Sequence, residues 1–288
     1  MSSSDTDVKY LVFDIESVAD GELIAKIQYS KLDHLSPEQA IERYRGERLE
    51  KYDSDFIPYT FQKPVSVAVA KVNAKFQLID LVTLDCPEYR TPVIVENFWR
   101  GWVSYGKPTL VSFNGRGFDV PLLELSAFRY GIPIPDWFNM SDRTYEQKRN
   151  RYNLDSHFDL QDMFTNFGAT RLNGGLNLIA SLINLPGKMD IAGHMVQNLF
   201  DKGELGEINS YCRCDVLDTY LVFLRAMVLT GRLGLAEEQQ LFADTRKWLE
   251  ERIEQESIYE KYLNQWGEWE NPWIENFELQ TQTDAATS

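Results

Sequence analysis

The sequence has few cysteines and histidines and no long apolar run. Its 288 residues include only three histidines and three cysteines, Cys86, Cys212 and Cys214. So small and odd a set of cysteines excludes a disulfide framework. A structural zinc site is not expected either, because no second Cys or His pair lies near Cys212 and Cys214. The apolar runs are far shorter than the roughly 20 residues that a membrane span needs, so no membrane partner is expected.

Basic residues are also scarce. The chain has 29 Lys and Arg against 44 Asp and Glu, which gives a formal net charge of −15. Because Lys and Arg supply much of the affinity for phosphate backbones, this balance argues against nucleic acid and is typical of a soluble acidic surface. A nucleic-acid substrate therefore requires local attraction, from bound divalent cations or from a small basic patch.

The remaining composition is typical of a folded domain. Hydrophobic residues make up 43% of the chain, and 288 residues are enough to enclose a large core. The first seven residues are rich in Ser and Asp and have no apolar stretch. No secretory signal is therefore expected, and we predict a cytoplasmic protein.

The order of elements predicts an α/β fold. Five segments have the apolar runs or alternation of strands: residues 8–13, 64–72, 76–84, 108–113 and 157–159. Six longer segments have the pattern of helices: residues 91–105, 118–130, 176–184, 190–201, 205–230 and 236–264. A strand meander followed by strands mixed with helices predicts a mixed sheet with helices on both faces.

Three segments at the borders of this core have other predicted roles. Residues 21–60 are rich in helix formers and charge, and we predict that they form a helical insertion. Within them, Ser36-Pro37-Glu38-Gln39 has the pattern of a capped helix start. Residues 1–235 are then one domain, residues 236–276 a C-terminal helical extension packed on it, and residues 277–288 a disordered tail.

Acids occur in three separate segments where a site could form. Asp14 and Glu16 end an apolar strand and, being two residues apart, share one face of it. Asp119 begins a predicted helix after a Gly-rich loop, and Tyr211 lies one helical turn before Asp215. Each segment alone also has an ordinary explanation: a strand end in solvent, a helix cap, and a half-buried helical pair.

Together the three segments resemble the DEDD exonuclease superfamily, which has a ribonuclease H-like fold. The D-x-E motif of that superfamily matches Asp14 and Glu16, and its N-x-x-x-F-D motif matches residues 114–119. Its Y-x-x-x-D motif matches Tyr211 and Asp215. The resemblance is closest to the proofreading domains of family-B DNA polymerases and to stand-alone proteins predicted to be like them.

The third motif also selects a branch of the superfamily. The sister branch has a His five residues before the last Asp, a position held here by Ser210, whereas Tyr211 stands four residues before it. This sequence therefore resembles the tyrosine branch. The resemblance covers roughly residues 8–230, and the length of 288 residues leaves no room for a polymerase domain.

The resemblance implies a metal-dependent 3′→5′ exonuclease that acts on single strands, with DNA favoured and RNA open. Two Mg²⁺ or Mn²⁺ ions per active site are implied. The implied catalytic residues are Asp14, Glu16, Asp119, Tyr211 and Asp215, of which the four acids hold metal. The implied contacts to the terminal nucleotide are Ile15, Asn114 and Phe118. Bound metal would also supply the local attraction for phosphate that the acidic composition requires.

The role of Tyr211 is open to a physical argument. Free tyrosine has a pKa of about 10 and is a poor base at neutral pH, whereas water on a divalent metal can have a pKa near 7. We therefore hypothesise that the metal activates the water and that Tyr211 orients it.

Two other functions fit the same fold: an exoribonuclease, and an inactive module that only binds. An inactive relative usually lacks one of the acids, and all four are present here. The sequence leaves open a homo-oligomer or a protein partner that binds the C-terminal extension. Trp266, Trp269 and Trp273 lie there among acids, which disfavour phosphate and leave docking against protein as the other role for these side chains. One basic stretch could contact phosphate or form a solvated loop: Arg143, Lys148, Arg149 and Arg151.

Overall fold

A mixed five-stranded sheet organises the part of the chain that the computed structural model describes, residues 7–31, 35–187 and 193–273. The strands are β1 (Val8–Ala19), β2 (Gln62–Asn73), β3 (Leu78–Thr83), β4 (Thr109–Ser112) and β5 (His157–Asp159). Their order is β3-β2-β1-β4-β5, with β2 antiparallel to both of its neighbours and β4 and β5 parallel to β1. The tail predicted at residues 277–288 lies outside the described residues.

Ten helices surround the sheet within the described residues. They are α1 (Gly21–Gln28), α2 (Pro37–Tyr52), α3 (Thr91–Ser104), α4 (Asp119–Tyr130), α5 (Leu160–Thr165), α6 (Gly175–Ser181), α7 (Gly193–Asp201), α8 (Leu205–Leu229), α9 (Leu235–Glu250) and α10 (Ile258–Gln265). Among these residues, no helix combines the length and the apolar character needed to cross a membrane.

The alternation along β1 divides the core into two layers. Leu11, Phe13 and Ile15 belong to a core cluster with residues of α3 and α4. Val12 points the other way, into a cluster built mainly on α8, α9 and α10. Successive side chains of a strand point to opposite faces, so this division puts helices on both sides of the sheet. The predicted fold class, a mixed sheet covered on both faces, is confirmed.

The insertion has a small core of its own. Its helix α2 begins as predicted: Ser36 Oγ accepts from the Gln39 N–H at 3.2 Å, and the Gln39 side chain accepts from the Ser36 N–H at 2.9 Å. Ile24 of α1, Ala40 of α2 and Ile57 beyond α2 pack together with Ala19 at the end of β1. This packing fixes the insertion beside the carboxyl end of β1.

The prediction of one helix over residues 236–264 is wrong. The segment forms α9 and α10, which contact each other. A straight helix of that length would extend roughly 43 Å at 1.5 Å per residue and would carry its last turns away from the body. The break returns Tyr259 and Tyr262 to the core, where both are buried. Helix α5 was also not predicted, because six residues are too few for a periodic pattern.

Candidate active site

The second half of β1, which continues past Asp14 and Glu16 to Ala19, lies under helix α8. Asp14 is opposite Ala68 and Glu16 is opposite Ser66 in the pairing of β1 with β2. Small side chains let the helix approach here: Ser66 Oγ donates to Asn209 Oδ1 of α8 at 2.6 Å, and the Cys212 thiol donates to the Asp14 carbonyl at 3.4 Å. These contacts fix the distance between α8 and the sheet.

Three of the four predicted acids converge at this place. Oxygens of Asp14, Glu16 and Asp215 all lie within 4.8 Å of one another. Glu16 is only 8% exposed, and the other two are partly buried. The strand supplies two carboxylates on one face, and α8 supplies the third from above.

Asp119 lies beside this group rather than within it. It begins α4 and is buried, and burial first, with Asp159 second, raises its pKa to about 8. Its charge is nevertheless the largest electrostatic influence on Asp14. Asp119 therefore acts on Asp14 from the start of α4, although it is not one of the three residues whose oxygens lie within 4.8 Å of one another.

The electrostatics of the group show that it suits a cation. Burial, followed by the charges of Asp119, Asp215 and Glu16, raises the pKa of Asp14 well above its usual range. Crowded carboxylates repel one another, and a cation between them removes that repulsion. Carboxylate oxygens are the ligands that Mg²⁺ and similar hard ions prefer. The residues present thus fit a divalent metal.

Tyr211 adds a hydroxyl to the edge of the group. Its side chain is buried and hydrogen-bonds to Asp215 one helical turn later. Burial and then the charges of Asp215, Glu16 and Asp14 raise its pKa far above the usual value of tyrosine. The hydroxyl therefore keeps its proton at neutral pH and acts as a donor.

The loop before Asp119 is held by an acid at the end of β5. The Asp159 carboxylate accepts from the backbone N–H groups of Asn114 at 3.0 Å and of Arg116 at 2.8 Å. Asn114 has a φ of +63°. At Gly115 an added Cβ would lie 2.2 Å from Ser112 Oγ, so only glycine fits this turn.

His157 and Asp159 lie two residues apart on β5. In the structure, each has a different partner, since His157 Nε2 lies 2.7 Å from Ser112 Oγ. The Arg116 guanidinium contacts the Asp162 carboxylate at 3.1 Å and the His157 carbonyl. Sequence reasoning did not identify Asp162, because its contact with Arg116 joins residues that are 46 positions apart in the chain.

The three predicted nucleotide contacts have different surroundings. Ile15 is buried in the core on the α3–α4 side of the sheet. Asn114 Oδ1 accepts from the Gln161 side chain at 3.0 Å. Phe118 is partly buried, and its ring centroid is 6.0 Å from that of Phe56 and 6.4 Å from that of Tyr59.

The predicted basic stretch is largely engaged within the protein. Arg149 forms two hydrogen bonds to Glu124, at 2.7 and 2.9 Å, and Arg151 lies 3.7 Å from Asp162. Arg143 donates to the Tyr145 hydroxyl at 2.8 Å. Contact of this stretch with phosphate stays a prediction.

The tryptophans near the C-terminus also differ from one another. Trp266 is buried, with its ring centroid 5.7 Å from that of Phe242. Trp269 lies under the Arg225 guanidinium at 4.2 Å, whereas Trp273 is 63% exposed.

The fold and the site together define a class: a mixed α/β protein with a candidate divalent-cation site of carboxylates between its central strand and helix α8. A family model described as a predicted 3′→5′ exonuclease related to the exonuclease domain of PolB matches residues 54–266. The match covers more than half of the chain, so the chain belongs to this family. The resemblance to the family-B polymerase exonucleases is confirmed.

The range of the match differs from the range of the resemblance. Asp14 and Glu16 precede residue 54, so the first motif stands outside the matched residues. Helices α9 and α10 lie inside them, beyond the end expected near residue 230. The family therefore includes most of what we had treated as an extension.

Comparison with solved structures gives a weak likeness to the family B DNA polymerase from the hyperthermophilic archaeon Pyrobaculum calidifontis. The TM-score is 0.44 and the sequence identity is 13%. The likeness covers 77% of this chain and 24% of the polymerase chain, so the protein spans about a quarter of that length. No curated protein matches the sequence.

Proposed function

We propose that the protein is a metal-dependent exonuclease that hydrolyses phosphodiester bonds from the 3′ end of single strands and releases nucleoside monophosphates. Membership of a family of predicted 3′→5′ exonucleases supports the reaction. The observation that carries the metal dependence is the convergence of Asp14, Glu16 and Asp215 within 4.8 Å. DNA is favoured over RNA because the family is described as related to the exonuclease domain of PolB.

The metal is Mg²⁺ or Mn²⁺, and two ions per site are proposed. Asp14, Glu16 and Asp215 would hold one ion, and Asp119, on its separate helix, would help to hold the second. Two such ions supply an activated water and stabilise the leaving oxygen of a phosphodiester. The proposed attraction for phosphate is local to this site, which explains how an acidic protein binds an acidic substrate.

Tyr211 has a separate part in the reaction. It holds its proton on a buried hydroxyl beside Asp215, and from there it donates to the attacking water or to a phosphate oxygen. We expect Tyr211→Phe to lower kcat by about tenfold, the effect of losing one hydrogen bond of about 1.4 kcal/mol in the transition state, while KM stays nearly constant. Full activity of this variant would show that the hydroxyl has no role.

The reaction is tested by degradation of labelled single strands. With Mg²⁺ or Mn²⁺, a 5′-labelled strand should give a descending ladder, and a 3′-labelled strand should release labelled mononucleotide at once. Asp14→Ala and a chelator should each abolish both signals, with Glu47→Gln on the exposed face of α2 as the matched control. Cleavage that survives both treatments would overturn the proposal.

The same assay decides between the remaining alternatives. Matched DNA and RNA strands, degraded in parallel, separate a deoxyribonuclease from an exoribonuclease, because the 2′-hydroxyl is the group that distinguishes them. Binding without cleavage under every metal condition would instead favour the inactive binding module. The cytoplasmic location and the partner at the C-terminal extension stay predictions.

A further inference from the structure

A cavity of about 350 Å³ opens beside Glu16, between the end of β1 and the helical insertion. This volume lies within the range of small-molecule and nucleotide sites. One wall is the strand itself, from Ile15 to Ala19, and another is Phe118, the residue before Asp119. The insertion contributes Arg45 and Phe56, and Gln62 of β2 and Gln197 of α7 complete the lining.

Phe56 is a large apolar side chain in an unusual place. It is 54% exposed, although its ring centroid lies only 6.0 Å from that of Phe118. Its position is fixed by the next residue, because Ile57 is buried in the core of the insertion and its carbonyl accepts from Gln62 at 2.5 Å. The open face of a held aromatic ring is a surface on which a base stacks.

Arg45 brings a positive charge to the same cavity. It is partly buried on α2, and within the described residues it has no ion pair. Its neighbour Arg43, by contrast, binds Glu47 at 2.9 Å on the exposed face of the helix. Asp55 also lines the cavity, which makes its side of the opening unfavourable for phosphate. The charges thus place a phosphate near Arg45 and a neutral base near Phe56.

We propose that the insertion is a substrate-binding element, in which Phe56 stacks on an unpaired base and Arg45 contacts a phosphate of the strand held at Glu16. This inference rests on the proposed exonuclease function. A base within a duplex is already stacked and paired, so the element selects single-stranded ends. It also adds a second local source of attraction for nucleic acid to this acidic protein.

Binding is measured by fluorescence anisotropy of labelled oligothymidylate, with every variant made in the Asp14→Ala background. Phe56→Ala should weaken binding at least about fivefold, the lower range for loss of one stacked base, and Phe56→Trp should restore it. Arg45→Ala should lower the dependence of log affinity on log salt by about 0.7, as expected for one phosphate contact to a single strand. Arg43→Ala is the matched control and should leave that slope unchanged.

Abasic substitution separates stacking from a structural role. When the nucleotide that stacks on Phe56 lacks its base, Phe56→Ala should have no further effect, and moving the abasic position along the strand identifies that nucleotide. A loss that is equal with and without each base would overturn the proposal. Phe56→Leu, which keeps apolar volume without a ring, should behave like Phe56→Ala if stacking is the cause.

Kinetics on the metal-loaded enzyme distinguish failure of the inference from failure of the proposed function. With Asp14 intact, Phe56→Ala should raise KM and leave kcat within about twofold, since the ring is placed to bind strand before the chemical step. An active wild type whose KM is unchanged by Phe56→Ala contradicts the inference alone. An inactive wild type that still needs Phe56 for binding contradicts the exonuclease and leaves the binding element standing.

Discussion

Helix α8 carries two neighbouring acids in opposite environments. Asp215 lies beside Asp14 and Glu16 of β1, and the charges with the largest effect on Asp14 are all acids. Asp218, one turn later, is fully buried, and its Oδ1 accepts from the Tyr262 hydroxyl of α10 at 2.7 Å. One helix thus contributes Asp215, with Tyr211 as its neighbour, to a crowded group of carboxylates and contributes Asp218 to a contact with α10.

The region around α9 continues the second pattern. The carboxylate of Glu238 is fully buried and pairs with the Arg225 guanidinium, which also stacks on Trp269 at 4.2 Å. Buried charges normally carry such partners, because removal from water is otherwise costly. Around Asp14, by contrast, the charges with the largest effects are all acids, and a group of like charges of this kind indicates a candidate site for a cation.

The largest effect on stability is expected at the paired acids. Glu238→Ala should lower the free energy of unfolding by about 3 kcal/mol, because it leaves the Arg225 charge in a largely buried place. The urea midpoint measures this loss. Glu47→Ala, which breaks the exposed pair with Arg43, should cost no more than about 0.5 kcal/mol. Equal losses would show that burial of the pair between Glu238 and Arg225 has no effect on its contribution to stability.

A divalent metal should stabilise the fold by binding at the crowded carboxylates around Asp14. At about 100 times its dissociation constant, Mn²⁺ should add roughly 2.7 kcal/mol, which raises the Tm of the wild type by roughly 5 °C or more. Asp14→Asn should lose this response, while Tyr262→Phe should keep it, and thermal melts with and without metal compare them. A response that persists in Asp14→Asn would place the metal elsewhere.

The hydrogen bond between Tyr262 and Asp218 should contribute to the free energy of unfolding by an amount that depends on pH. Burial raises the pKa of Asp218, so its ionisation opposes folding as the pH rises above the ordinary value for aspartate, and the Tyr262 donor offsets part of that cost. Tyr262→Phe should therefore cost about 1–2 kcal/mol, and more at pH 8 than at pH 5. Denaturation at both pH values tests the sign, with Tyr52→Phe on exposed α2 as control.

The smallest expected effect of a substitution is a gain in stability rather than a loss. The raised pKa of Asp14 means that the metal-free fold loses stability as the pH rises from the ordinary aspartate value through the raised one. Asp14→Asn removes that charge, so with chelator at pH 8 it should gain about 1 kcal/mol over the wild type. The gain should vanish near pH 4, where the carboxyl is protonated. A lower Tm at pH 8 would show that the crowding is not destabilising.

The sequence alone was sufficient wherever the cause is local. The two-residue period of β1 placed Asp14 and Glu16 on one face, the helical period placed Tyr211 one turn from Asp215, and Ser36 with Gln39 marked the start of α2. These features depend on backbone geometry within a few residues, and the motif order built from them led to the correct family.

Tertiary structure decided everything that depends on approach between distant segments. Asp119 lies near Asp14, and Asp159 binds the backbone of the loop at Asn114. Helix α10 packs on α9, and Phe56 of the insertion lies next to Phe118. No period or cap encodes such distances, because they result from how the layers pack. The sequence by itself thus determined which acids stand on which element and face, and packing of α8 over β1 decided how close those acids come.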